Sequence, residues 1–150
     1  MEALSIQSFA DALTRCHDNH HYMVCVVFGS TVTYIPFINE LRRRCSTTSI
    51  PGVAAVYVRN DNARIMFLNG SCVDMFVLNE SQHGRRCHEM LYDDGLNVDA
   101  NRYILAPMLV PYRNLKDSSE DVFDEAEELD EFLNGFRIVD NEWKTFTTKH

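Results

Sequence analysis

The chain has no Gly-Lys pair among its 150 residues. It therefore lacks the G-x-x-x-x-G-K-[ST] loop, whose backbone N–H groups cradle phosphates and whose lysine neutralises them. No G-x-S-x-G elbow is present to raise a nucleophilic serine. No apolar run nears the ~20 residues needed to cross a bilayer, and Met1 to Thr14 lacks the basic start and apolar block of a secretory signal. Disulfide chemistry also fits poorly. The five cysteines (Cys16, Cys25, Cys45, Cys72, Cys87) are odd in number, and none are spaced C-x-x-C. Reduced, partly buried thiols are expected, which points to the cytoplasm of a cell, an infected one included.

What is present is ordinary in bulk and unusual in distribution. A composition 45% hydrophobic and 24% charged suits a globular protein, and the length suits a single folding unit. The net charge of −8 is concentrated near the C-terminus: residues 117–131 carry nine acids and no base. The first 116 residues balance eleven acids against ten arginines and one lysine, Lys116. The reading is a core domain over residues 1–116 and an acidic helix plus terminal strand, packed on that core, over residues 117–150.

Local patterns predict an α/β fold with a mixed β-sheet, a central antiparallel meander, flanking helices and a C-terminal acidic amphipathic helix. Ile6, Phe9, Ala10 and Leu13 recur at helical spacing behind Ser5, a candidate N-cap. Tyr22 to Phe28 is a continuous apolar run, as a strand covered on both faces requires. A helix follows over Tyr34 to Arg44, closed by Arg42, Arg43 and Arg44, where cations suit the carbonyl end. Val53–Val58, Arg64–Leu68 and Cys72–Leu78 read as the meander, with Asn69-Gly70 as a hairpin turn. Cys87–Tyr92 is a further strand, and a helix from Val98 is broken at Pro107. Val122, Ala126, Leu129 and Leu133 then repeat at helical steps across about 119–134, and residues 136–146 suit a short strand or hairpin containing Trp143.

The segment from Gly84 to Asp94 ends an apolar strand in two acids, and the hairpin ARIMFLNGS precedes it. This order, with VCVVFGST leading into TYIPFINELRRR, resembles the core of viral DNA-packaging ATPases of the large-terminase type over roughly residues 20–108. The resemblance implies that Asp93 corresponds to a magnesium-holding acid and Asp94 to a water-positioning one. With no phosphate loop ahead of them, these acids are expected to be vestigial, and no catalytic residue or cofactor is assigned. A structural role, capping a strand end or opening the next loop, is the plainer alternative.

Other patterns carry less. Tyr92-Asp93-Asp94 matches a polymerase Y-x-D-D hairpin in a chain too short for a polymerase. Asp140, Glu142 and Lys144 alternate as nuclease acids and a lysine do, but the upstream acid of such a site is undefined and ordinary surface charges on a strand are the plainer explanation. Cys16, His17, His20 and His21 lack the second ligand pair that a zinc site needs, so no metal is assigned. Arg42, Arg43, Arg44, Arg85 and Arg86 can contact phosphates or pair with carboxylates. A neutral body with an acidic tail argues against bare nucleic acid as the main partner.

The expectation is a non-catalytic accessory protein of phage or mobile-element origin. It would bind a protein or nucleoprotein complex that handles nucleic acid and inhibit or modulate it, in the manner of anti-defence or anti-CRISPR proteins. The acids Glu120, Asp121, Asp124, Glu125, Glu127 and Glu128 would act as a DNA mimic, with the arginine clusters adding contacts; the phage origin comes from the resemblance alone. The alternative is a terminase-like or nuclease-like enzyme subunit completed by a partner chain.

Overall fold

The computed structural model describes residues 1–79, 85–112, 138–139 and 142–143. They form a six-stranded mixed sheet with helices on both faces. The elements are β1 (Glu2–Ala3), α1 (Ile6–Asp18), β2 (Met23–Phe28), α2 (Thr31–Cys45), β3 (Val53–Val58), β4 (Asn62–Phe67), β5 (Cys72–Val77), β6 (Glu89–Tyr92) and α3 (Arg102–Leu105). The sheet order is β1-β6-β2-β5-β4-β3. A separate antiparallel pair joins β7 (Ile138–Val139) to β8 (Glu142–Trp143), in the span read as a terminal hairpin. The acidic segment 117–131 lies outside the described residues.

β2 is the centre of the sheet. It pairs in parallel with β5 on one side and β6 on the other, and its run from Val24 to Phe28 is fully buried, as a strand covered on both faces must be. β3, β4 and β5 make the antiparallel meander. The turn between β4 and β5 places Gly70 at φ 87°, a left-handed conformation that glycine adopts without a Cβ penalty.

Both long helices cover one face. Phe9, Ala12, Leu13 and Cys16 of α1 pack with Tyr34, Phe37, Ile38 and Leu41 of α2 over Val24, Val26, Ile65, Val73 and Met75. Each large side chain fully buried here contributes roughly 1.5–3 kcal/mol. Ser5 caps α1 in a reciprocal capping box with Ser8. α2 begins earlier than its apolar spacing predicts, at Thr31, because Ser30 accepts a hydrogen bond from the Val32 N–H and caps it there. Pro36 lies inside this helix and has no N–H to offer the turn before it.

The other face is covered over only part of its width. Ile104, Leu105 and Met108 pack on Cys25, Val27, Phe76 and Met90. The helix expected from Val98 is short: Asn97 closes a turn over residues 97–101 with its side chain and carbonyl, and after Leu105 the chain tightens into a 3-10 turn at Pro107. Beyond β5 this face is open among the described residues, with Tyr57, Met66 and Leu68 exposed. No helix among the described residues is long and apolar enough to cross a membrane.

Candidate functional site

The strands β1, β2, β5 and β6 run parallel, so their carboxyl ends share one edge. In open α/β sheets that edge is where ligands bind. Gly29 and Ser30 follow β2 there, the amino end of α2 rises from them, and Asp93, Asp94 and Gly95 follow β6. The sequence thus placed Asp93 and Asp94 correctly at a strand end.

The two acids differ sharply in environment. Asp94 is exposed, whereas Asp93 is 0% exposed. Asp93 Oδ2 accepts a hydrogen bond from Thr33 Oγ1 at 2.8 Å and a long one from the Gly29 N–H at 3.4 Å. Its backbone N–H donates to the Val27 carbonyl, and its carbonyl accepts from Leu96. A carboxylate over the first turn of a helix is favoured by the partial positive charge of the unpaired N–H groups. Asp93 Oδ1 has no hydrogen-bond partner among the described residues.

The backbone closes this edge. A Cβ placed on Gly29 would lie 2.4 Å from the Gly95 carbonyl oxygen and 2.8 Å from its carbon. The loops after β2 and β6 therefore touch backbone to backbone, and only glycine fits. Asp93 lies beneath that contact, tied to the amino end of α2.

The arginines expected to meet a partner fall into two unrelated places. Arg43 and Arg44 both bond Glu40, a side chain 3% exposed on α2, at 2.7 and 2.9 Å; Arg42 is exposed. Arg85 lies on the opposite face of the sheet, its guanidinium 4.3 Å from the centre of the Phe76 ring and 3.2 Å from Asp74 Oδ2. Exposed Arg86 donates to the Arg85 carbonyl.

The cysteine–histidine cluster serves structure. Cys16 is buried, and burial raises its thiol pKa well above the usual range. His17 pairs with Asp18, the His20 carbonyl accepts from the Tyr112 hydroxyl, and the His21 ring packs against Gly70. No cluster of three metal-binding side chains occurs among the described residues, and all five cysteines are free thiols. Asp140 and Lys144 lie outside the described residues, as do Glu120, Asp121, Asp124, Glu125, Glu127 and Glu128.

Besides Glu40, sequence reasoning missed two further carboxylate centres. Glu89 on β6 accepts from Arg15 at 2.8 and 2.6 Å and from the Tyr22 hydroxyl at 2.9 Å. Its hydrogen bond and charge raise the Arg15 pKa further; burial, then the Glu89 charge, raise that of Tyr22. Asp74 on β5 holds both Arg64 and Arg85. Tyr57, Arg64 and Asp74 stand directly opposite one another across β3, β4 and β5. The signal was the strand alternation, but it needed the register of three strands to be read.

The chain matches no family model, no curated protein and no solved structure.

Proposed function

We propose that this protein is a non-catalytic binding protein that attaches to a nucleic-acid-handling complex in the host cytoplasm and inhibits or modulates it. An accessory protein of phage or mobile-element origin, of the anti-defence or anti-CRISPR type, is the setting that the sequence resemblance suggests. The observation that carries the reading is the fate of Asp93. The acid that would hold a metal in a packaging ATPase is buried under the Gly29–Gly95 contact and bonded to Thr33. A triphosphate has no cradle in the sequence and no opening over that carboxylate. The acidic run of residues 117–131 supplies the partner-facing charge, and such a field speeds encounter with a basic surface.

The alternative, an enzyme subunit completed by a partner chain, draws on one atom. Asp93 Oδ1 is buried with no hydrogen-bond partner among the described residues, and a buried unpaired carboxylate oxygen costs stability unless something reaches it. One experiment separates the readings. The full-length chain, captured from its host together with the complex it joins, is assayed for nucleotide hydrolysis and DNA cleavage with magnesium or manganese, beside an Asp94→Asn variant captured in the same way that leaves the buried acid in place. The binding reading expects the same rate from both. Turnover by the parent that Asp94→Asn abolishes would establish the enzyme instead.

A further inference from the structure

We propose that the open face of the meander carries a binding site for a phosphate monoester, built from Arg59, Arg64 and Arg85. The three arginines line a single cleft of about 260 Å³ with Tyr57, Asn62 and Asp74. The site lies on the face away from α1 and α2.

The construction of the cleft favours an anion of double charge. Three guanidinium groups and one carboxylate leave a formal charge of +2 (3 − 1) among the lining residues. A phosphate monoester carries about −1.5 to −2 at pH 7. Asp74 acts here as an organiser. It accepts both nitrogens of the Arg64 fork, Nη2 at 3.1 Å, and its Oδ2 also takes Arg85 Nη1 at 3.2 Å. Arg85 is further fixed against the Phe76 ring. Two donors are thereby held in place before a ligand arrives, which lowers the ordering cost of binding. Arg59 makes no ion pair among the described residues.

Size and shape narrow the ligand further. Pockets that enclose a whole drug-sized ligand run from about 300 to 1,000 Å³, so this cleft takes the phosphoryl group and leaves the rest at its rim. Tyr57, 57% exposed, stands there directly opposite Arg64 and offers a ring face to a flat substituent. A nucleoside monophosphate and the 5′-phosphate end of an oligonucleotide share that chemistry.

The test is calorimetric titration of the full-length chain with adenosine monophosphate, with a 5′-phosphorylated oligothymidylate, and with the same oligonucleotide lacking that phosphate. Binding of either phosphorylated probe in preference to the unphosphorylated one supports the site, and which of the two binds names the source. Arg59→Gln should weaken it by roughly 10- to 100-fold, the worth of one charge-assisted hydrogen bond, with the thermal melt unchanged. Should that variant melt low, Arg59→Lys keeps the charge, loses the fork, and should still bind more weakly than the parent. Affinity should also fall below about pH 6, where the monoester takes up its second proton. Equal binding of all three probes, no binding of any, or full affinity in both Arg59 variants would overturn the assignment.

Discussion

Gly29→Ala is the substitution that tests the closed strand edge most directly. Gly29 has no left-handed backbone angle, so the change brings no conformational strain and isolates the contact itself. The added methyl would sit 2.4 Å from the Gly95 oxygen, well inside the shortest separation that carbon and oxygen tolerate. Because the obstacle is backbone, no rotamer change relieves it, and the 93–96 loop must retreat. Overpacking of this kind costs about 1–3 kcal/mol, and each kcal/mol lowers the melting temperature of a chain this size by roughly 2–4 °C. Gly95→Ala provides the comparison. Its Cβ would meet Asp93 Oδ2 at 3.2 Å, a tight contact with a side chain rather than backbone, so its loss should be the smaller. Melts of parent and both variants followed by circular dichroism decide the matter. If Gly29→Ala melts with the parent, the two loops do not touch in solution. Asp93 would then be open to a ligand, and the case against catalysis would fail at its root.

Two further outcomes follow from single side chains. The Met23 N–H donates to His88 Nδ1 at 3.0 Å, which requires an unprotonated nitrogen there, and burial lowers the His88 pKa below 6.5. A lowered folded-state value means that the unfolded chain takes up the proton first. Stability should therefore be full above pH ~6.5 and drain as pH falls through the folded value, and urea melts of His88→Phe from pH 7 to 5 should show a shallower decline than the parent. Glu40→Gln removes the charge that holds Arg43 and Arg44. Both arginines can turn to solvent, so the loss should be about 1–2 kcal/mol rather than the 3–5 of a fully buried broken pair, read from the urea midpoint at unchanged slope.

The parts of the fold set by local chemistry were legible in the sequence. Ser5 announced α1, the unbroken apolar run of β2 announced a covered central strand, and Asn69-Gly70 announced the turn between β4 and β5. What stayed hidden depends on distant pairing. The two-residue β1 has too little sequence to carry a pattern, yet it pairs with β6 at the sheet edge. The parallel placement of β2 between β5 and β6 joins segments more than forty residues apart. At the strand edge, the pair Asp93-Asp94 could be read directly, but the burial of one and exposure of the other could not. That difference comes from Gly29 and Gly95 meeting across two loops. The arginine cleft was invisible for the same reason, because Arg59, Arg64 and Arg85 converge only once three strands are in register.

The scarcity of lysine in the first 116 residues has a structural cause. Of the four carboxylates at or near the core, three are gripped by arginine, Glu40 by Arg43 and Arg44, Asp74 by Arg64 and Arg85, and Glu89 by Arg15, while Asp93 is held by Thr33 and the Gly29 N–H instead. A poorly solvated carboxylate gains from donors to both of its oxygens, and the planar guanidinium supplies two parallel ones where an ammonium acts as a point charge. Arginine therefore serves the fold first. The clusters that the sequence presents as contiguous contact surfaces are divided by that duty: Arg43 and Arg44 belong to Glu40, while Arg85 belongs to Asp74 on the other face. The meander differs in one respect: Arg59, which makes no ion pair among the described residues, lines the same cleft as Asp74, Arg64 and Arg85, so the lining carries two more positive charges than negative. A surplus of positive charge in a cleft otherwise lined by Tyr57, Asn62, Ala63 and Met75 adds self-repulsion rather than stability, and the proposed phosphate would offset it.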